Sequence, residues 1–235
     1  MYGSKYFNDV VFVKVGMDIM KYHGLVMMVI VFILGLVGYM GVFLLCRSLS
    51  YRHHSQWEKL EYGWTVLPII LLALLWGPSM KNLYHMDDIK TPQWTFKAVA
   101  SQWYWNYEFH LLDQQQFEFQ SYMAADSGAD LDKGGYRLLD VDWRMVVPAQ
   151  SQVTMYVAST DVLHSFSLPS VLLKVDAIPG RVNQLPCVFG LPGVYYGQCS
   201  EICGINHSFM PIVMEVIPAK VFIGWLEGLT NLLSN

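Results

Sequence analysis

Two thiols, an imidazole and a thioether fall within twelve residues of this chain, in the stretch Cys199-Ser-Glu-Ile-Cys203-Gly-Ile-Asn-His207-Ser-Phe-Met210. Thiolate and thioether are soft donors that suit copper, and imidazole suits copper or zinc. Zinc would want four nitrogen or sulfur donors in a tetrahedron and has little use for a thioether. A single blue-copper centre takes two His, one Cys and a weak axial Met. This stretch holds those ingredients plus a second thiolate. Two thiolates can bridge two copper ions and let one electron spread over both. Each metal–ligand bond then changes little on reduction, which favours fast electron transfer. On an ideal helix the same spacing would align the four side chains as a packed stripe, but Gly197, Gly204 and Pro211 disfavour a helix there. In an oxidising compartment Cys199 and Cys203 could instead form a disulfide; the donors around them favour metal.

A second copper needs a second histidine from elsewhere in the fold. Of the 7 histidines, His53 and His54 fall between two apolar runs, His23 and His85 near the ends of those runs, and His110 in a Gln-rich stretch. His164, in Asp161-Val-Leu-His164-Ser-Phe, follows a strand-like segment and is the best candidate. Of the 4 cysteines, Cys46 ends an apolar run and reads as an inert thiol, and Cys187 lies in a Pro-flanked stretch with no obvious partner.

The elements that must position these residues come in two kinds. No charged residue occurs in residues 24–46 or 62–80. Each run is long enough to cross a hydrocarbon core of roughly 30 Å as a helix. The expectation is a hairpin with spans at about 24–46 and 62–83, and a soluble domain beyond it, the division falling as 1–91 and 92–235. Beyond it, residues 141–147, 153–157 and 212–217 are short and β-branched, as strands require. Turn signals at 132–135, 148, 179–180 and 192–193 separate the short pieces, so an antiparallel sandwich or barrel is expected. Val221, Phe222, Trp225, Leu226, Leu229 and Leu232 have the spacing of one closing amphipathic helix.

An even number of spans puts both termini on one side. Arg47, Arg52 and Lys59 in the connecting loop favour the cytoplasm-equivalent side for it, although Lys5, Lys14 and Lys21 precede the first span. Residues 1–21 read as neither a cleaved signal nor an Arg-rich import sequence. From residue 92 onward 7 Lys and Arg face 13 Asp and Glu. An acidic domain of this kind repels nucleic acid and steers a basic protein partner.

The string Tyr195-Tyr-Gly-Gln-Cys199-Ser-Glu-Ile-Cys203-Gly-Ile-Asn-His207-Ser-Phe-Met210-Pro closely resembles the CuA loop of subunit II of mitochondrial-type cytochrome c oxidase. So do Asp161-Val-Leu-His164-Ser, Lys174-Val-Asp-Ala-Ile-Pro-Gly-Arg181, Gln102-Trp-Tyr-Trp105 and Trp64-Thr-Val-Leu-Pro68, in family order. The resemblance, from about residue 25 to residue 226, implies a two-helix transmembrane anchor and an all-β cupredoxin-like Greek-key barrel with a C-terminal helix. It implies that Cys199 and Cys203 bridge two coppers. His164 and Met210 would complete one, and His207 with the carbonyl of Glu201 the other. The Glu201 side chain resembles the family's ligand for a magnesium ion shared with subunit I.

The resemblance further implies electron uptake from cytochrome c at Trp103, with Gln102, Tyr104, Glu108, Asp142 and Asp161 in the docking face. Glu61 would stand at the mouth of a proton-uptake route. Period 2 would place Trp103 and Trp105 on one strand face, with Trp105 structural. The implied partners are subunit I with its haems, subunit III, cytochrome c and membrane lipid, in a proton-pumping oxidase of the translocase class. The implied site is the mitochondrial inner membrane, with both termini and the copper domain in the intermembrane space, or alternatively a bacterial plasma membrane. This chain offers no haem ligands in its spans, so oxygen reduction belongs to a partner. The stretch Asp113-Gln-Gln-Gln-Phe-Glu118-Phe-Gln and Thr160 carry fewer acids than the familiar pattern, which predicts docking that is less salt-sensitive. A membrane-tethered copper carrier and a structural zinc module are the other readings. The carrier would not need Met210, a second span or the aromatic patch.

Overall fold

The computed structural model describes residues 14–47, 56–86, 91–111, 115–124 and 135–233. His53, His54 and most of the turn expected at 132–135 lie outside them. The chain divides into two compact units, Met17–Asp87 and a second that contains Asp88–Asn235.

The first unit is two helices, α1 (Lys14–Cys46) and α2 (Glu58–Met86). At 33 and 29 residues they are roughly 50 and 44 Å long, more than the roughly 30 Å of a hydrocarbon core. Both therefore run past the apolar stretches at 24–46 and 62–83. The backbone ladder continues through the polar residues at a membrane surface, whereas hydropathy marks only the part bathed in lipid. No described residue of α2 is buried, although Leu67, Ile69, Leu72, Leu74 and Trp76 are all large and apolar. A helix apolar all round with no protein cover fits hydrocarbon as its solvent. The two helices share one polar cluster, in which His85 Nδ1 lies 2.9 Å from Asp18 Oδ2 and Asn82 Nδ2 donates to the Asp18 carbonyl at 3.2 Å.

Among the described residues the second unit is a β domain of ten strands, in order β1 (Trp94–Ser101), β2 (Tyr104–His110), β3 (Gln116–Ser121), β4 (Met145–Pro148), β5 (Val153–Ser159), β6 (His164–Leu168), β7 (Leu173–Ala177), β8 (Asn183–Cys187), β9 (Gly193–Gln198) and β10 (Pro211–Ile217), followed by helix α3 (Ala219–Leu233). They form a five-stranded sheet ordered β3-β2-β1-β5-β8, a three-stranded sheet ordered β4-β10-β9, and the pair β6-β7. The sheets are mixed rather than antiparallel throughout, since β1 runs parallel to β5 and β4 parallel to β10. Parallel partners cannot be joined by a tight turn. The chain between them goes to build other strands, and local turn signals do not report such long connections.

Alternation fills the core. On β2, Trp105, Tyr107 and Phe109 point inward and are buried, while the residues between them are not. On α3, Phe222 and Leu226, one helical turn apart, are buried, and Phe222 meets Trp94 edge-on at 4.9 Å. Trp225 adds a tilted contact to Phe109 at 5.8 Å. The closing helix is thus fixed by aromatic contacts to β1 and β2.

Candidate metal centre

The antiparallel pair β9–β10 ends at Gln198 opposite Pro211, and the donor-rich loop spans the gap between them. Its neck is closed by Cys199 N–H donating to the Met210 carbonyl at 3.4 Å. Ser200 N–H donates to the Ser165 carbonyl at 3.1 Å, which fastens the loop to β6. That crossing depends on Gly197. A Cβ there would lie 1.9 Å from the Ser167 carbonyl oxygen, so only glycine lets β6 pass. His164, the first residue of β6, is thereby set against Cys199.

All six of the expected donors converge. Cys199 Sγ lies 3.9 Å from Cys203 Sγ and 3.9 Å from His164 Nδ1. Cys203 Sγ lies 3.5 Å from His207 Nδ1 and 3.5 Å from Met210 Sδ. The Glu201 carbonyl is 3.3 Å from Cys199 Sγ. Both thiols are free. Their separation is far beyond a disulfide bond of about 2.05 Å and within the span of one metal held by two bonds of about 2.3 Å. His164, Cys199, Cys203 and Met210 are all buried. The donor set of two thiolates, two imidazoles, one thioether and one carbonyl matches a pair of soft metal ions.

Burial opposes charge at both thiols. At Cys199 hydrogen bonds from His164 and from the backbone near Ser165 and Glu201 outweigh it, and the thiol is pulled below its usual range. At Cys203 burial and the neighbouring Cys199 charge act together and push the thiol up. Burial works against the His164 cation, but its bonds to Cys199 and Asp161 prevail and raise it. The Asp161 carboxyl, despite some desolvation, is lowered by His164 and by the Val162 and Gln102 amides. Asp161 Oδ1 meets His164 Nε2 at 2.9 Å. A carboxylate on Nε2–H selects the tautomer whose Nδ1 lone pair faces the sulfurs.

Trp105 is fully buried, packs edge-on to Phe166 at 5.3 Å and lies 6.4 Å from the His164 ring. Its indole donates to the Met210 carbonyl at 3.4 Å. Trp103 is not on the strand, because β2 begins at Tyr104; it occupies the two-residue turn after β1. Period 2 therefore cannot place it. The turn lays its indole on the metal loop, with Nε1 3.3 Å from the Cys203 carbonyl.

The remaining expected residues are scattered. Tyr104 stacks on Tyr122 with ring centroids 4.7 Å apart. Asp142 accepts from the Tyr122 and Trp143 amides at 2.8 and 2.7 Å. Glu108 is held by both its oxygens to Lys97 Nζ at 2.8 and 2.9 Å and takes a further bond from Gln116. Glu61 lies in the first turn of α2. Ile202 and Ile205, on the metal loop, are 74% and 85% exposed, which makes its outer face apolar.

Family models match both units. Residues 94–217 match the periplasmic domain of cytochrome c oxidase subunit II, and residues 14–82 match its transmembrane domain. The chain belongs to the cytochrome c oxidase subunit II family. Cytochrome c oxidase subunit 2 of Mytilus edulis is 53% identical over 97% of this chain and 98% of its own length. That of Myxine glutinosa is 45% identical over 91% and 92%. The crystal structure of the periplasmic domain of subunit II from Bradyrhizobium japonicum superposes with a TM-score of 0.53 at 42% identity, covering 60% of this chain and 95% of that one. As a subunit II, the chain is a membrane-bound part of an oxidoreductase complex, with two apolar helices for its anchor. Its His164, Cys199 and Cys203 form a buried group able to hold a metal ion.

Proposed function

We propose that this subunit II receives electrons from reduced cytochrome c at a binuclear copper centre and passes them to haem in subunit I, where oxygen is reduced and protons are pumped. The observation that carries this reading is the convergence of two buried free thiols, a buried thioether and two imidazoles, one of them fully buried, beside a half-exposed indole that touches the Cys203 carbonyl. Cys199 and Cys203 would hold both metals, with His164 and Met210 completing one site and His207 with the Glu201 carbonyl the other. Copper held by these residues would supply one-electron redox chemistry.

The chain's own residues do the rest. Trp103 offers an aromatic ring at the surface with a hydrogen bond into the loop, a short route for an electron. Trp105 and Phe166 exclude water behind His164. Asp161 fixes the His164 ring, and the closed neck at Cys199 and Met210 keeps the donors in place when charge changes. Exposed Ile202 and Ile205, with Tyr104, Asp142 and Asp161, surround the docking face. The Glu201 side chain would hold magnesium together with subunit I, and Glu61 would stand at a proton-uptake route. The reading places the spans at about 24–46 and 62–83 in the mitochondrial inner membrane, and both termini with residues 92–235 in the intermembrane space, with subunit III in the same complex.

Electron paramagnetic resonance and metal analysis of the purified oxidase test it. The expected result is a hyperfine pattern from one electron shared by two copper nuclei, with a purple absorption. Zinc at the site, or a single copper readily lost to a chelator, would overturn it in favour of a structural module or a carrier.

A further inference from the structure

Gln102 is exposed in the turn between β1 and β2, as a docking residue would be. Its carboxamide nevertheless points back into the protein. Nε2 donates to the Cys203 carbonyl at 2.8 Å, and Trp103 Nε1 reaches the same oxygen at 3.3 Å. A carbonyl has two lone pairs, and consecutive residues of one turn use both. The turn is anchored in its own right, because Gln102 N–H donates to Asp161 Oδ2 at 2.7 Å while the other oxygen of that carboxylate meets His164. One turn is therefore tied to donor residues from both β6 and the loop.

Gly204 makes the approach possible. A Cβ at this position would lie 3.0 Å from Trp103 Cζ2 and 3.1 Å from Gln102 Nε2. Its φ of +126° is also one that side chains rarely adopt. The chain thus gives up a side chain directly after a donor cysteine, at the point where the two side-chain donors arrive. Contacts outside the donor set orient the donors and tune a metal centre.

We propose that Gln102 is a positioning residue of the metal loop, clamping the Cys203 carbonyl together with Trp103 and favouring the reduced state of the centre. The direction follows from charge. The positive ends of two N–H dipoles stand beside a ligand residue whose electron density rises on reduction, so they stabilise the reduced form. The spectroscopic part of this role rests on the reading of the centre as paired copper; the clamp on the loop does not.

The test compares Gln102→Met, similar in length but without the donor, with the wild type in the purified oxidase. The expected result is a lowered reduction potential and an altered hyperfine splitting, with slower electron uptake and KM for cytochrome c within twofold of wild type. A raised KM with unchanged potential and spectrum would make Gln102 a docking residue and overturn the proposal. A metal-free readout separates this from the copper reading. In the full-length chain without metal, hydrogen exchange of the amides in residues 199–210 should rise severalfold in Gln102→Met. Unchanged exchange refutes the clamp whatever metal the site holds. A wild type without the paired-copper signal would sink the functional reading, and the tuning with it, while the exchange result would still decide the clamp.

Discussion

The metal loop and the acidic face of β2 and β3 lie in the same domain and use their polar residues in opposite ways. In the loop, donors from two segments, β6 and residues 199–210, turn toward one point, and their partners are one another. On the face, each acid is bound by its own neighbour: Glu108 by Lys97 directly across from it on β1, Glu118 by a hydrogen bond from Asn106, and Asp140 nearby by Arg144. A convergent set loses its purpose when one member is removed. A set of separate pairs loses one pair. The difference also bears on docking, because an acid already bonded to a lysine steers a basic partner weakly.

Substitution at the point of convergence should have the largest effect. Cys203 contacts Cys199, His207 and Met210, so Cys203→Ser should abolish the paired-metal spectrum and at least halve the copper content of the purified complex. A spectrum that survives would break the contrast with the face. Gly197→Ala should come next, through the fold rather than the donors. Its Cβ meets backbone, which cannot swing away. Overpacking typically costs 1–3 kcal/mol, and this contact should cost about 3 kcal/mol or more, read as a fall in the unfolding midpoint with loss of metal.

The same contrast explains what could be read from the sequence. The spans, the closing helix, the strands at 153–157 and 212–217 and the donor loop were all legible, because each is written in spacing along a continuous segment. His164 could be chosen from its place after a strand, but only the resemblance implied it as a ligand. What depended on distant segments was hidden. Nothing near Gly197 announces that β6 crosses it, nothing near β1 announces β5 as its parallel neighbour, and nothing near Glu108 announces Lys97. Trp103 was placed by strand periodicity that begins one residue later. The Asp18–His85 contact joins two residues that lie 67 apart in the chain, and neither looked unusual alone.

A smaller effect is expected one step out from the donors. Asp161 holds His164 Nε2 and also accepts from the Gln102 and Val162 amides. Asp161→Asn keeps the shape but weakens the grip on the ring. Replacing such a partner typically costs about tenfold to a hundredfold in metal affinity. Competition with a chelator should show a loss in that range while the spectrum of the loaded protein persists. Loss of the spectrum itself would make Asp161 part of the convergent set rather than its support.

The smallest effect should come from the face. Removing the Glu108 charge by Glu108→Gln breaks a pair in which Lys97 is well exposed and Glu108 only partly so. Pairs of that kind are worth roughly 0.2–1 kcal/mol, so the unfolding midpoint should hardly move. Turnover with cytochrome c, followed across ionic strength, should flatten only slightly, because Glu108→Gln removes one unit charge among several and breaks a bond to Lys97 rather than to the partner. The wild-type slope should itself be shallower than that of a subunit II richer in acids. A marked flattening in Glu108→Gln would mean that Glu108 acts on the partner after all, and the face would then have to be read as convergent too, with its target on another protein.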